Sequence, residues 1–197
     1  DTYFNGKLTS GLYSARFGRR TANLKDRIAD FLRYERDWGR QVVIAAEYPL
    51  DLEEFVADVL TSAPPPEQLR PYDPTVLVHS TTPERWPLIA DDGRLFSASK
   101  LKQTGLEIRA IGFETFGEPA EYGEFIHFCP LGKPHGEVVV LSHQRGTLIT
   151  DFEAEYVPGA RIYLDAQRML GDGVTVRDGL HVLKVHLSLG LEPYLID

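Results

Sequence analysis

The hydrophobic positions fall into two textures along the chain. In T21-A-N-L-K-D-R-I-A-D-F-L-R-Y-E-R-D37, Leu24, Ile28, Phe31 and Leu32 recur at helical spacing with charges between them. That period predicts an amphipathic helix, capped by Thr21 and closed near Gly39. A second helix is predicted over 51–60. Leu52, Phe55, Val56 and Val59 share one side of it, and Asp51, Glu53 and Glu54 suit its N-terminal end. Between the two, Q41-V-V-I-A-A-E47 reads as a strand. The first 20 residues are glycine-rich and aromatic without a clear period.

The stretch 62–74 holds five prolines in 13 residues, which excludes a helix or a central strand and indicates a semi-rigid connector. Beyond it the runs become short and β-like. A strand is predicted over 75–79. A helix over 83–91 follows, opened by Thr82 and Pro83 and ended by Gly93. Residues 100–123 read as a glycine-punctuated loop in which 106–111 have the composition to pair. Further strands are predicted at E124-F-I-H-F-C129, at G136-E-V-V-V-L-S142 and, after a turn at Arg145-Gly146, at T147-L-I-T150. A160-R-I-Y-L-D165 is another, followed by a short helix over 165–170 and the turn Gly171-Asp172-Gly173. H181-V-L-K-V-H186 and E192-P-Y-L-I196 are the last strand candidates. Many short strands with few helices indicate an α+β fold on an antiparallel or mixed sheet. The expected division is a mainly helical N-terminal region, 1–74, and a second domain, 75–197.

Composition narrows the function classes. A net charge of -8 and a pI near 5.3 argue against a broad cationic surface for nucleic acid. The local cluster Arg16, Arg19, Arg20, Lys25 and Arg27 is either a phosphate contact or the solvated start of a helix. No apolar run approaches the roughly 20 residues a membrane span needs. The single cysteine, Cys129, excludes an intramolecular disulfide and a cysteine zinc site. The expected location is the cytoplasm, with no membrane partner.

The common catalytic motifs are missing. The six histidines include no H-E-x-x-H pair, and no metal site is expected. There is no G-x-S-x-G elbow, no phosphate-binding P-loop and no G-x-G-x-x-G fingerprint. His127 and Cys129 stand two apart in one predicted strand and share a face. They read as a thiol–imidazole pair or as a small buried cysteine beside a histidine. His79-Ser80-Thr81 ends a strand just before a helix, where an imidazole and hydroxyls suit a ribose or an amide. The same placement also suits a structural histidine.

The order of these segments resembles the ADP-ribosyltransferase fold, and within it the tRNA 2′-phosphotransferase branch. The matching residues are His79-Ser80-Thr81, the helix with Trp86 and Ile89, Phe125-Ile126-His127-Phe128, Ile162-Tyr163-Leu164-Asp165, Gly171-Asp172-Gly173 and Gly179-Leu180-His181-Val182. The chain is also similar to a small uncharacterised bacterial domain family of the same proposed fold, through Phe125–Phe128 and Leu189-Gly190-Leu191-Glu192. The resemblance spans roughly 75–196. It implies a split antiparallel or mixed sheet with short helices and NAD bound, as a substrate, in a cleft between half-sheets. His79 would hold a ribose, with Ser80, Thr81 and Ser97 as further cofactor-binding hydroxyls. Tyr122, Phe128 or Tyr163 would stack on nicotinamide, and Arg177 would meet the pyrophosphate. The implied catalytic set is His79, His127 and His181, one of the last two orienting a ribose hydroxyl or acting as a base.

The implied reaction breaks the nicotinamide–ribose bond and transfers ADP-ribose to a nucleic acid, a protein or a small molecule. Glu118, Glu121 and Glu124 stand where the phosphotransferases carry arginines, and Leu180-His181 stands where many protein-modifying relatives carry a glutamate. RNA 2′-phosphate transfer and an inactive nucleotide-binding module are the alternatives.

Overall fold

The computed structural model describes residues 2–7, 13–18, 20–45, 52–106, 119–131, 135–147, 149, 151, 159–181 and 183–196. The fold is mixed α+β, with short helices around small antiparallel sheets. Two three-stranded sheets carry it. One places β3 (Val76–Thr81) between β6 (Cys129–Pro130) and β7 (Ala160–Asp165). The other places β9 (Lys184–His186) between β5 (Phe125–His127) and β8 (Thr175–Val176). Two-stranded pairs join β4 (Arg94–Phe96) to β10 (Ser188–Gly190), and β1 (Thr2–Lys7) to β2 (Tyr13–Phe17).

The strands from the apolar runs 75–79 and 160–165 pair along their full length, from Val76 opposite Asp165 to Thr81 opposite Ala160. Period-2 alternation then puts Leu77, His79, Thr81, Ile162 and Leu164 on one face and Val78, Ser80 and Tyr163 on the other. Leu77 and Leu164 are fully buried in the main core with Met169, Leu183 and Val185. The run predicted as one strand over 124–129 is two. The chain leaves β5 at His127 and enters β6 at Cys129, so Phe128 is the step between the two sheets. His127 and Cys129 therefore do not share a strand face.

α1 (Leu24–Asp37) and α2 (Leu52–Thr61) pack through Ala29, Leu32 and Val59, as their apolar stripes predict. The α1 cap differs from expectation. Asn23 occupies it in a left-handed conformation and its side-chain amide donates to the Pro71 carbonyl. Within the first 20 residues β1 and β2 pair antiparallel, which the irregular pattern there did not announce.

Several expected strands are corrected. Residues 136–142 lie in a helix, α5 (His135–Arg145), because a four-residue apolar run serves a buried strand or a buried helix face equally. Val140 and Leu141 are buried and the helix packs against β3. Residues 41–45 have no regular structure, and 46–47 lie outside the described residues. So do most of the 106–111 run, Asp51 and half of 147–150. α3 (Trp86–Asp92) begins three residues later than predicted, after a turn in which the Thr82 carbonyl accepts from Arg85 and Trp86. Gly93 closes it in the left-handed conformation. α4 (Ala98–Gln103) and a 3-10 turn over Ala120–Glu124 occupy the ends of the expected loop 100–123, of which 107–118 lie outside the described residues. Asp165 caps α6 (Ala166–Gly171) by accepting from the Arg168 N–H. Only 184–186 of the run 181–186 is strand, so His181 lies in the turn before β9. At 192–196 a turn replaces the expected strand, and Leu195 makes a single bridge to Leu164. No described helix is long and apolar enough to cross a membrane.

One close approach ties the N-terminal helix to the C-terminal half. Gly179 has φ +74°, and a Cβ there would collide with the Arg27 carbonyl and the Phe31 side chain. Gly171 is helical with nothing near its would-be Cβ. Gly179→Ala is therefore expected to destabilise the protein by more than about 2 kcal/mol in denaturant unfolding, while Gly171→Ala changes stability by about 1 kcal/mol or less.

Candidate functional site

Asp178 is the anchor of the site. It follows β8, and its Oδ1 accepts the backbone N–H groups of Leu180 and His181 at 3.0 and 2.7 Å. This side-chain turn holds the loop locally. Its Oδ2 takes the Nδ1–H of His181 at 2.8 Å and lies 2.8 Å from the Lys184 Nζ. Asp178 and Lys184 are both fully buried, whereas the His181 side chain is 30% exposed. With Nδ1 committed to the carboxylate, Nε2 is the nitrogen His181 can offer to a ligand. From the other side, the Arg27 guanidinium donates to the carbonyls of Gly179, Leu180 and His181.

The His127 ring packs against that of His181 at a tilt of 48° with ring centres 4.4 Å apart, and Tyr122 contacts both rings at 6.1 and 5.6 Å. The His127 Nε2–H donates to the Tyr122 carbonyl at 3.2 Å, which leaves its buried Nδ1 as an acceptor without a partner among the described residues. The His79 Nδ1 lies 3.4 Å from the His127 carbonyl, and the Phe128 ring meets His79 edge-on at 6.1 Å. The step from β5 to β6 thus links the three imidazoles into one row.

The electrostatics favour neutral His79 and His127 near a charged carboxylate. Burial raises the Asp178 carboxyl, but the charges and hydrogen bonds of His181 and Lys184 outweigh it and hold the group well below its ordinary value. Burial pushes His127 down to about 3, helped by His181. Burial also lowers His79, opposed by its bond to the His127 carbonyl.

The row opens on two cavities. One, of about 180 Å³, lies between β3, α3, β4 and α4; it is lined by His79 and Thr81, the apolar Ile89, Leu95 and Leu101, and Arg85. The other, of about 80 Å³, lies between α1, the 70–73 turn and the 177–181 loop, and His181 is in its wall.

The sequence-predicted residues divide accordingly. His79, Thr81, His127, Phe128, Tyr122 and His181 are brought together. Ser80 points to the opposite face of β3 from His79, and Tyr163 is on that opposite face too. Ser97 is buried as the cap of α4, its hydroxyl accepting from Lys100. The Arg177 guanidinium is bound to Asp73 at 2.7 Å and to the Gln68 carbonyl, and it lines the smaller cavity rather than the larger. These four do not join the His79 cavity. Sequence reading missed Asp178 and Lys184 as site residues. The Asp-x-x-His spacing and one lysine inside an apolar run were the signals available. Comparison of the chain with known protein families, characterised proteins and solved structures finds no match.

The depressed imidazoles fix the sign of an acid effect. A histidine held low in the folded protein takes its proton first in the unfolded chain, so stability is present above about pH 6.5 and lost as pH falls toward the folded value near 3. One such group contributes a slope of up to about 1.4 kcal/mol per pH unit across that window. His127→Gln should flatten the loss of stability between pH 6.5 and 4 in urea unfolding. The Asp178 contribution is separable because it begins only below about pH 4.

Proposed function

We propose that this chain is an NAD-consuming ADP-ribosyltransferase with an ADP-ribosyltransferase-like fold around its two small sheets. The observation that carries the reading is the row of His79, His127 and His181, which runs from one cavity at His79 to another at His181, with the last imidazole oriented by a buried carboxylate. In this reading the larger cavity takes a ring of the dinucleotide against His79 and Thr81, with Ile89, Leu95 and Leu101 as its apolar walls. The C1′–nitrogen bond to nicotinamide breaks and its electron pair leaves with nicotinamide. The acceptor heteroatom then attacks C1′, and its proton passes to Nε2 of His181.

A neutral His127 stands between the two cavities, its ring packed against His181 and its carbonyl facing His79. The Asp–His arrangement gives the base one tautomer and stabilises the imidazolium once it forms. Cleavage with oxocarbenium character rewards orientation over a strong nucleophile, and the row supplies that. RNA 2′-phosphate transfer is the weaker alternative, because Arg27, Arg70 and Arg177 near His181 are each bound to carbonyls or carboxylates.

NAD should raise the melting temperature and release nicotinamide slowly into water or an acceptor mixture. His79→Ala should abolish the shift. His181→Ala should keep the shift and cut nicotinamide release by about 10²- to 10⁴-fold. An NAD-induced shift with no nicotinamide would leave a binding module, and neither signal at millimolar NAD would overturn the reading.

A further inference from the structure

Lys184 is an unusual resident of a core. Its side chain has no exposed surface, and it reaches its position from the central strand β9, whose neighbour Val185 is core. Three aromatic rings enclose the ammonium: Tyr34 of α1 at 3.8 Å, Phe125 of β5 at 4.1 Å and Tyr122 at 4.6 Å. The fourth side is the Asp178 carboxylate. A cation over ring faces is stabilised most when it is dry. The arrangement therefore admits a charge where a lysine is ordinarily expelled.

An unpaired carboxylate beside an imidazole draws a proton onto that imidazole. Asp178 touches His181 and Lys184 through the same oxygen, Oδ2. The ammonium thus offsets the carboxylate charge that His181 faces. We propose that Lys184 is a positioning residue: caged by Tyr34, Tyr122 and Phe125, it neutralises Asp178 so that the carboxylate orients His181 while leaving Nε2 free to accept a proton. This deepens the reading of His181 as the base of the site and rests on it.

The other groups around His181 are accounted for. Tyr122 and His127 flank its ring. On the α1 side Arg27 holds the loop carbonyls, and Tyr34 belongs to the cage. The nearby Arg40 is paired with Glu35 and Glu121. Across the cavity, Arg70 pairs with Asp30 and Arg177 with Asp73, leaving Asp26 on the rim. These pairings leave Lys184 as the cation in direct contact with Asp178. Burial lowers the lysine ammonium and Asp178 opposes that shift.

The test is the protonation of His181 followed by its ring Cε1 proton in NMR. In Lys184→Met, which keeps length and apolar packing, the His181 titration should move up by about one pH unit or more. In the double variant Lys184→Met/Asp178→Asn it should fall back, since the carboxylate charge is gone as well. A purely structural lysine would leave the titration in place in folded Lys184→Met, and that result overturns the proposal. If Lys184→Met does not fold, the unsubstituted protein decides the matter. Its Lys184 Nζ nitrogen should have the shift of an ammonium at pH 7, and a neutral amine there overturns the proposal. Neither measurement involves NAD, so it stands or falls separately from ADP-ribosyl transfer.

Discussion

A carboxylate with no exposed surface organises this molecule. Asp178 accepts two backbone N–H groups, an imidazole N–H and an ammonium contact. A buried charge is tolerable only when fully paired, and removing one partner leaves the rest stranded. The turn at 178–181 must therefore keep its shape. Arg27 presses on that turn from α1 through three carbonyls, and Gly179 gives the helix backbone room to approach. The N-terminal helix, the aromatic cage and His181 are all positioned from this one group.

The row of imidazoles follows from the step in the chain at Phe128. Because β5 and β6 belong to different sheets, His127 ends one sheet while its carbonyl reaches His79 on the other. The imidazoles then form a row joining a larger, mostly apolar cavity to a smaller polar one. The first is the environment proposed for a nucleotide ring. A proton acceptor oriented by a carboxylate stands at the second. His79 and His127 are held neutral by desolvation, so these two present hydrogen-bonding groups rather than charge.

Elements with a strong period were legible in the sequence. The stripe of Leu24, Ile28 and Leu32 gave α1, and the runs around Leu77 and Leu164 gave the paired strands β3 and β7. The V138-V-V-L141 run failed because β-branched residues suit a buried helix face as well as a strand, and only packing against β3 decides. The clustering of His79, His127, His181, Tyr122 and Phe128 matched expectation, and His79 with Thr81 sharing a face follows from a period of two. Tyr163 and Arg177 failed for different reasons. The face of Tyr163 depends on strand register, and the partner of Arg177, Asp73, lies 104 residues away. Asp178 and Lys184 were missed because their role exists only once Tyr34, Tyr122 and Phe125 surround them.

The most direct test of this account is a double-mutant cycle of Asp178→Asn and Lys184→Met, measured by denaturant unfolding near neutral pH. Each single substitution strands a buried charge and should cost about 3–5 kcal/mol. The double variant should cost less than the sum, with a coupling of at least about 2 kcal/mol. Costs that add to within about 0.5 kcal/mol would mean that the two groups do not support each other, and would contradict the account.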